Sequence, residues 1–457
     1  MANNIKVGDN FILDVKRLGI NGEGIGFYNH VAVFVDGAIP GEGHNVEITK
    51  VLDKMAFAKT LEIKHQSEDR RNPECPYYDE CGGCNTMHIS SSKMAELKRD
   101  ILIESINRYT KINTKKFEIK PTITSNQFKY RNRSQLQVVK NNSGSSVAMT
   151  KVNSNIAVSI NNCLVQTDVI NELNNKICKI IDELKISIFS YKLNRGIIRY
   201  ITIRVNKRGE ALVCLVCFEK NDKVKELAEK VSKLDNVIGV YRSFNNSLES
   251  GAEMVGKDIE LLEGKPYIVE TLGKIKYQIY PNTFFQLNSL QAEAMYDVVL
   301  KACKLSFKER VLDAYCGVGS IGLYLAHNAK EVVGIEYNKD SVIAATENAK
   351  LNKINNVKFM QGNAHELLPK LIKDGVTFDV IVVDPPRTGL DDKFINAILE
   401  SNVKKLIYVS CNPATLAKNL GKLTEKYNIN SITPIDMFPN TALVESVTCL
   451  TLGAQHK

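Results

Sequence analysis

The stretch "ERVLDAYCGVGSIGLYLAHNAKEVVGIEY" (residues 309–337) decides the fold. A short apolar run stops at a turn holding Gly317, Gly319 and Gly322; a helical pattern follows, then a second apolar run ending at Glu336. Strand, glycine turn, helix, strand is the opening of a parallel α/β unit. The pattern then repeats. "NVKFMQG", "FDVIVVDPP" and "KLIYVSCNP" read as further buried strands, with "SVIAATENAKLNK", "AHELLPKLIK", "DKFINAILESN" and "ATLAKNLGKLTEKY" as the helices around them. Such alternation predicts a doubly wound parallel sheet with helices on both faces. Two more strands, "INSITPIDMF" and "SVTCLTLG", lie close together and predict an antiparallel edge.

Upstream the texture changes. Residues 4–65 alternate apolar and polar positions between turns at Gly22, Gly24, Gly26, Gly37, Gly41 and Gly43, which predicts a small β-barrel. The segment "GEGIGFYNHVAVFVDGAIPGE" resembles a TRAM domain, an OB-like module associated with RNA. Residues 66–94 are polar and turn-rich, and residues 95–112 carry apolar positions at helical spacing. Residues 126–270 mix strands ("RSQLQVVK", "IIRYITIRV", "ALVCLVCFE") with a helix near "KVKELAEKVSKL". The expected domains are therefore 1–66, the barrel; 67–94 with 124–268, a central mixed α+β domain; and 95–123 with 269–457, a Rossmann-like catalytic domain.

Length and composition bound the rest. The 457 residues suit two to four domains. No apolar run reaches the roughly 18 residues that span a membrane, and "MANNIKVGDN" is not a secretory signal, so a cytoplasmic protein is expected. A net charge of +9 suits either a polyanion partner or a lysine-rich solvated surface. Eleven cysteines in such a chain point to metal binding, catalysis or burial rather than a disulfide framework.

The polar residues at the carboxyl ends of the strands define the site. Asp313, Glu336, Asn363, Asp384 and Cys411 end or follow the first five strands, and Glu445 lies between the last two. Open α/β sheets bind ligands along this edge. The glycine turn alone does not separate a dinucleotide from other adenosine cofactors; Glu336 is placed to hold ribose hydroxyls and Asn363 to meet an adenine edge. Asp384-Pro385-Pro386-Arg387 argues against a nicotinamide enzyme. It resembles the Asn/Asp-Pro-Pro element of base-modifying methyltransferases that use S-adenosylmethionine. A thiol and a carboxylate beside a methyl donor suit methylation at carbon 5 of uracil. Carbon 5 becomes nucleophilic only when a thiolate adds to carbon 6, and a base must then remove the carbon 5 proton. Cys411 and Glu445 fit these two roles.

At this point the chain resembles the RNA uracil-5 methyltransferases. The motifs are "PNTFFQLN" (281–288), "DAYCGVGSIG" (313–322), "DPPRTGL" (384–390), "SCNPATLAKNL" (410–420) and "DMFPNTALVESV" (436–447). The resemblance implies that Gln286, Tyr315, Glu336, Asn363 and Asp384 contact S-adenosylmethionine, with Cys411 as nucleophile and Glu445 as proton acceptor. Family members often carry histidines after the Met-Phe-Pro; Asn440 and Leu443 stand there in this chain.

"CPYYDECGGC" gathers Cys75, Cys81 and Cys84 in one short turn, a spacing that reads as metal ligation. The resemblance supplies Cys163 as the fourth ligand and implies a [4Fe–4S] cluster; spacing alone leaves zinc as the rival. "FKYRNRSQLQV" offers Phe128, Tyr130, Arg131 and Arg133, and "GIIRYITIRVN" offers Arg199 and Arg204, as candidate RNA contacts. Bacterial transfer RNA enzymes of this kind generally lack both the barrel and the cysteine turn. Carrying both, the chain resembles the 23S ribosomal RNA branch, with tRNA as the alternative substrate and a non-catalytic RNA-binding or ribosome-assembly factor as the reading from another class. No DNA partner is expected, and the chain is expected to be a monomer.

Overall fold

The computed structural model describes residues 5–152, 154–248 and 254–453. The expected first and last domains reach residues 1–4 and 454–457, which lie outside this set. Five strands, β1 (Asn10–Leu18), β2 (Gly24–Tyr28), β3 (Val31–Val35), β4 (Gly43–Leu52) and β5 (Met55–His65), close into a barrel in the order β1-β2-β3-β5-β4. Alternating burial in β3 and at the start of β4 fills its core with Val33, Val35, Val46 and Ile48. A buried carboxylate ties the barrel to the chain that leaves it. Glu42 accepts from Arg70 Nε (2.7 Å), from His44 Nε2 (2.9 Å) and from the backbone N–H groups of Ile39 (2.9 Å) and Ser67 (3.2 Å).

Helix α1 (Ser91–Tyr109) follows, its N-terminus capped by Ser90 Oγ, which accepts from Lys93 N at 3.3 Å. It starts earlier and ends sooner than its apolar spacing predicts. Its buried face joins Leu18 and Ile39 of the barrel region to Ala442 and Val444. β6 (Glu118–Ile119) is a short strand that spacing did not predict.

The central region is a seven-stranded sheet in the order β13-β12-β11-β10-β7-β8-β9. Its strands are β7 (Arg133–Asn141), β8 (Gly144–Thr150), β9 (Ala157–Ser159), β10 (Ile198–Val205), β11 (Ala211–Cys217), β12 (Val237–Phe244) and β13 (Asp258–Gly264). Helices α2 (Asp168–Glu183) and α3 (Lys223–Ser232) share one core with this sheet. Three residues expected to meet RNA are instead buried here. Arg199 lies 5.0–5.3 Å from the rings of Phe189, Tyr191 and Tyr200 and donates to Ser247 O at 2.6 Å. Arg204 donates to Thr283 O at 3.0 Å, and Tyr130 donates to Pro439 O at 3.0 Å. Their cations and ring brace the interior, so they are not free for phosphates or bases. Phe128, Arg131 and Arg133 remain half-buried.

After the hairpin β14 (Ile268–Leu272) and β15 (Ile275–Ile279) comes α4 (Ser289–Cys303) and then the alternating unit. It comprises β16 (Arg310–Ala314), α5 (Ser320–Ala326), β17 (Glu331–Glu336), α6 (Lys339–Leu351), β18 (Val357–Gln361), α7 (Ala364–Lys373), β19 (Val380–Val383), α8 (Asp392–Ser401), β20 (Lys405–Ser410), α9 (Pro413–Leu423), β21 (Tyr427–Ile435) and β22 (Glu445–Leu452). The sheet order is β18-β17-β16-β19-β20-β22-β21-β6. β16 through β20 are mutually parallel, and the order reverses between β16 and β19, where a crevice opens at the carboxyl ends. The last two strands do pair antiparallel, but not as a bare edge. β22 inserts between β20 and β21, and β6 covers β21.

Glu42 makes acid stability testable. Burial alone would push its carboxyl up, but the hydrogen bonds from Arg70, His44, Ile39 and Ser67 outweigh this and hold it well below the usual carboxylate range. A depressed carboxylate stabilises the fold above its unfolded value, and that contribution is lost as pH falls. The melting temperature is expected to drop as pH is lowered below about 4.5. Glu42→Gln is expected to melt lower at neutral pH and to show a weaker acid dependence, read by circular dichroism at several pH values.

Candidate functional site

The crevice begins at the turn after β16. Tyr315 takes a left-handed backbone conformation (φ +65°), uncommon for an aromatic residue and a mark of functional sites. Gly317 is also left-handed (φ +55°), and a side chain there would meet nothing within 4 Å, so it faces open space. Gly322 is needed for the opposite reason. A Cβ there would come within 2.8 Å of Asp313 Oδ2, which accepts Gly322 N at 2.7 Å. Asp313 Oδ1 is buried without a hydrogen-bond partner. Glu336 fixes the turn from the next strand: one oxygen accepts Gly317 N at 3.0 Å and the other Asn338 N at 2.8 Å. The Tyr315 ring meets Phe394 edge-on at 5.6 Å. Asn363 stands just before α7, and its side chain makes no cap bond, leaving the amide for another partner. Gln286 is buried on the segment leading to α4, where Asn132 donates to its carbonyl at 3.1 Å.

Cys411 and Glu445 meet through sheet register. β20 and β22 are antiparallel, and Ser410 pairs with Ser446. One step further in that register lie Cys411, just past the end of β20, and Glu445, the first residue of β22, close enough for the carboxyl to act on the thiol's charge. Helix α9 begins immediately after the thiol. Asn412 caps it by accepting Ala414 N at 3.0 Å, and Pro413 occupies its first turn. Asn412 Nδ2 and Thr415 Oγ1 also donate to Arg387 O at 3.1 and 3.2 Å, and Asn419 accepts Leu390 N at 2.9 Å. The loop carrying Asp384-Pro385-Pro386-Arg387 is thereby locked to the helix that starts at Cys411.

The electrostatics follow from that crowding. Burial pushes Glu445 up to about 8; Asp384 adds to this, while Arg387 and Lys98 oppose it. Withdrawal from water pushes Asp384 up to about 7. Asp313 is pushed up to about 8 by burial and by Asp384 and Glu336, against the Gly322 hydrogen bond. Cys411 is pushed up to about 11 by burial, Glu445 and Asp384, with Arg387 pulling it down. Spacing did not mark Arg387 as the cation acting on both Cys411 and Glu445. The available signal was its place one residue past the proline ledge.

The four cysteines expected to bind metal converge. Cys75, Cys81, Cys84 and Cys163 line one cavity of about 70 Å³ together with Arg131, Met149 and Ile160. Burial pushes Cys84 up to about 12, with the other three thiols adding and Arg131 opposing. Among the described residues, however, no three His, Cys, Asp or Glu side chains are gathered tightly enough to hold a single metal ion. Among the described residues no helix is long and apolar enough to cross a membrane.

Comparison with known proteins agrees with this layout. Residues 93–452 match the tRNA (Uracil-5-)-methyltransferase family and residues 6–61 the TRAM domain. An uncharacterized RNA methyltransferase of Listeria innocua is 41% identical over 453 residues, covering 98% of this chain and 99% of the relative. One from Halalkalibacterium halodurans is 40% identical over 451 residues, covering 98% and 97%. Among solved structures, the Pyrococcus abyssi tRNA (uracil-54, C5)-methyltransferase in complex with S-adenosyl-L-homocysteine superposes with a TM-score of 0.76 at 27% identity, covering 96% of this chain and 99% of that one. With the family matched along most of its length, behind a TRAM barrel and over an S-adenosylmethionine-type crevice, this chain belongs to the RNA (uracil-5-)-methyltransferases.

Proposed function

We propose that the chain methylates carbon 5 of a uridine in 23S rRNA through a covalent adduct between Cys411 and carbon 6 of the ring. The observation that supports the adduct is the β20–β22 register, which brings the thiol and the carboxyl of Glu445 near each other at the ligand edge of the sheet. S-adenosylmethionine, when bound, supplies an electrophilic methyl group on a sulfonium cation. Gln286, Tyr315, Glu336, Asn363 and Asp384 are the residues assigned to hold it. The open cradle at Gly317 and the unpartnered Asp313 Oδ1 suit a polar ligand of this kind.

The residues then act in order. The Cys411 thiolate forms a bond to carbon 6, and carbon 5 becomes the nucleophile that takes the methyl group. The Glu445 carboxylate accepts the carbon 5 proton; the sulfur–carbon 6 bond breaks and the thiolate leaves. A thiol pushed up to about 11 needs help to ionise. Arg387 supplies a positive charge, and Cys411 precedes the N-terminus of the eleven-residue α9, whose dipole also favours a thiolate. The target base must leave its stack to reach this pair.

The cluster reading rests on four thiols that line one cavity, with zinc as the rival; among the described residues no three His, Cys, Asp or Glu side chains are gathered as a metal site. Cys75, Cys81, Cys84 and Cys163 would hold a [4Fe–4S] cluster. Its role would be structural, since methyl transfer moves no net electrons. The pairing of barrel and cysteine turn favours ribosomal RNA. A tRNA substrate is the second reading, favoured by the likeness to the Pyrococcus abyssi enzyme.

Cys411→Ala is expected to bind RNA yet form no covalent adduct with 5-fluorouridine RNA; a surviving adduct would place the nucleophile elsewhere. Glu445→Gln is expected to accumulate methylated RNA joined to protein and to turn over about 10²–10⁴-fold more slowly; wild-type turnover would remove it from the base role. Anaerobically purified protein is expected to contain iron and sulfide that Cys84→Ser loses. Zinc in place of both would overturn the cluster reading. Mapping 5-methyluridine in cells lacking the chain separates the substrates, with loss from 23S rRNA expected and loss from tRNA contradicting the assignment.

A further inference from the structure

Helix α1 buries a lysine where its amphipathic spacing calls for an apolar side chain. Met94, Leu97, Ile101, Leu102 and Ile106 form its inner face, and Lys98 sits among them with no solvent exposure. An ammonium withdrawn from water is costly unless it is paired and hydrogen-bonded. Lys98 Nζ contacts the Asp436 carboxylate and donates to Phe438 O at 3.1 Å. Both partners lie on the segment that leads from β21 to Glu445. The two ends of that segment are also paired, since Ile435 stands opposite Glu445. One buried cation therefore sits at the base of the loop that presents the carboxyl.

The rest of the loop is held by other parts of the chain. Asn288 donates to Met437 O at 3.2 Å and Tyr130 to Pro439 O at 3.0 Å. Asn440, left-handed at φ +66°, donates to Gln127 O at 2.8 Å and accepts from Asn85 N and Thr86 N, both at 3.1 Å. These bonds fix backbone position. Of these contacts with the loop, the one from Lys98 brings a cation.

We propose that Lys98 is a positioning residue for Glu445: its ammonium, held by Asp436 and the Phe438 carbonyl, pins the 436–445 segment to α1 and sets a cation at the base of the loop that presents the carboxyl. The inference rests on the reading of Glu445 as the base. The charged and titratable groups that act on Glu445 are Asp384 at the end of β19, Arg387 on the following loop and Lys98 on α1; the Cys411 thiol and the Tyr296 phenol of α4 feel Glu445 in turn. Asp384 disfavours the carboxylate, and the two cations favour it. Burial pushes Lys98 down and Asp436 up, and their contact opposes both shifts. The direct ion contact and the carbonyl acceptor favour the ammonium. Removing it should leave Glu445 protonated over a wider pH range, and proton removal from carbon 5 should then slow near neutral pH.

The test uses the full chain, S-adenosylmethionine and an unmodified RNA transcript, following adduct formation and release of methylated RNA separately across pH. Lys98→Met alone strands Asp436 and threatens the fold. The deciding variant is therefore Lys98→Met with Asp436→Asn, because replacing a buried ion pair by neutral groups of similar size is often tolerated. It is expected to form the adduct at the wild-type rate, to release product about tenfold more slowly near neutral pH, and to recover as pH rises. A double variant that releases product with the wild-type pH profile would overturn the proposal. So would one that fails to fold, because the charge would then serve folding rather than the base. A Glu445→Gln arm reads the base assignment separately: if that variant releases methylated RNA at the wild-type rate, that reading fails first.

Discussion

Three carboxyls and a thiol share one crevice whose local cations do not balance them. Burial pushes Asp313, Asp384 and Glu445 toward neutral pH, and the Tyr296 phenol is raised by burial first and then by all three carboxyls. A core of this kind is destabilising unless a positive ligand or a proton relieves it. A bound sulfonium would relieve it. Its charge would favour the ionised forms of Asp384, Glu445 and Cys411 together, so that binding of such a ligand would couple to ionisation of the thiol and the carboxyls. The backbone at Arg387 is held against α9 by the bonds from Asn412 and Thr415 to its carbonyl, while the residue itself is exposed.

Sheet topology delivers these groups from distant parts of the chain. Placing β22 between β20 and β21 brings Glu445 next to Cys411, although 33 residues separate them along the chain. The loop before β22 is the meeting point of the molecule. It is held by α1, by Tyr130 and Gln127, by Asn288 next to the cofactor segment, and by Asn85 and Thr86 directly after Cys84. The chain directly after the cysteine turn therefore touches the segment that carries Glu445, which gives the turn a direct structural route to the site.

Much of this was legible in the sequence because periodicity and chain punctuation are local. The βα alternation after residue 308 and the glycine-punctuated barrel follow from hydrophobic spacing alone. Cys411 and Glu445 stood out as polar groups at the ligand edge of the sheet and within the family's motifs, and the β20–β22 register brings them near each other. What escaped depends on partners far along the chain. Spacing cannot say that β22 lies inside the sheet, nor which face of a strand a cation occupies. Arg199 and Arg204 therefore read as surface charges until Phe189, Tyr191 and Thr283 proved to cover them. Lys98 left a detectable trace, a charge on the apolar face of α1, but its partners lie 338 and 340 residues away.

The central claim is that a positive methyl donor tunes the nucleophile, and the alkylation rate of Cys411 as a function of pH tests it. Mass spectrometry of the Cys411 peptide would follow iodoacetamide labelling with S-adenosylmethionine bound and, separately, with neutral S-adenosylhomocysteine bound. The account predicts a reactive thiolate at distinctly lower pH with the cationic ligand. Identical profiles for the two ligands would contradict it.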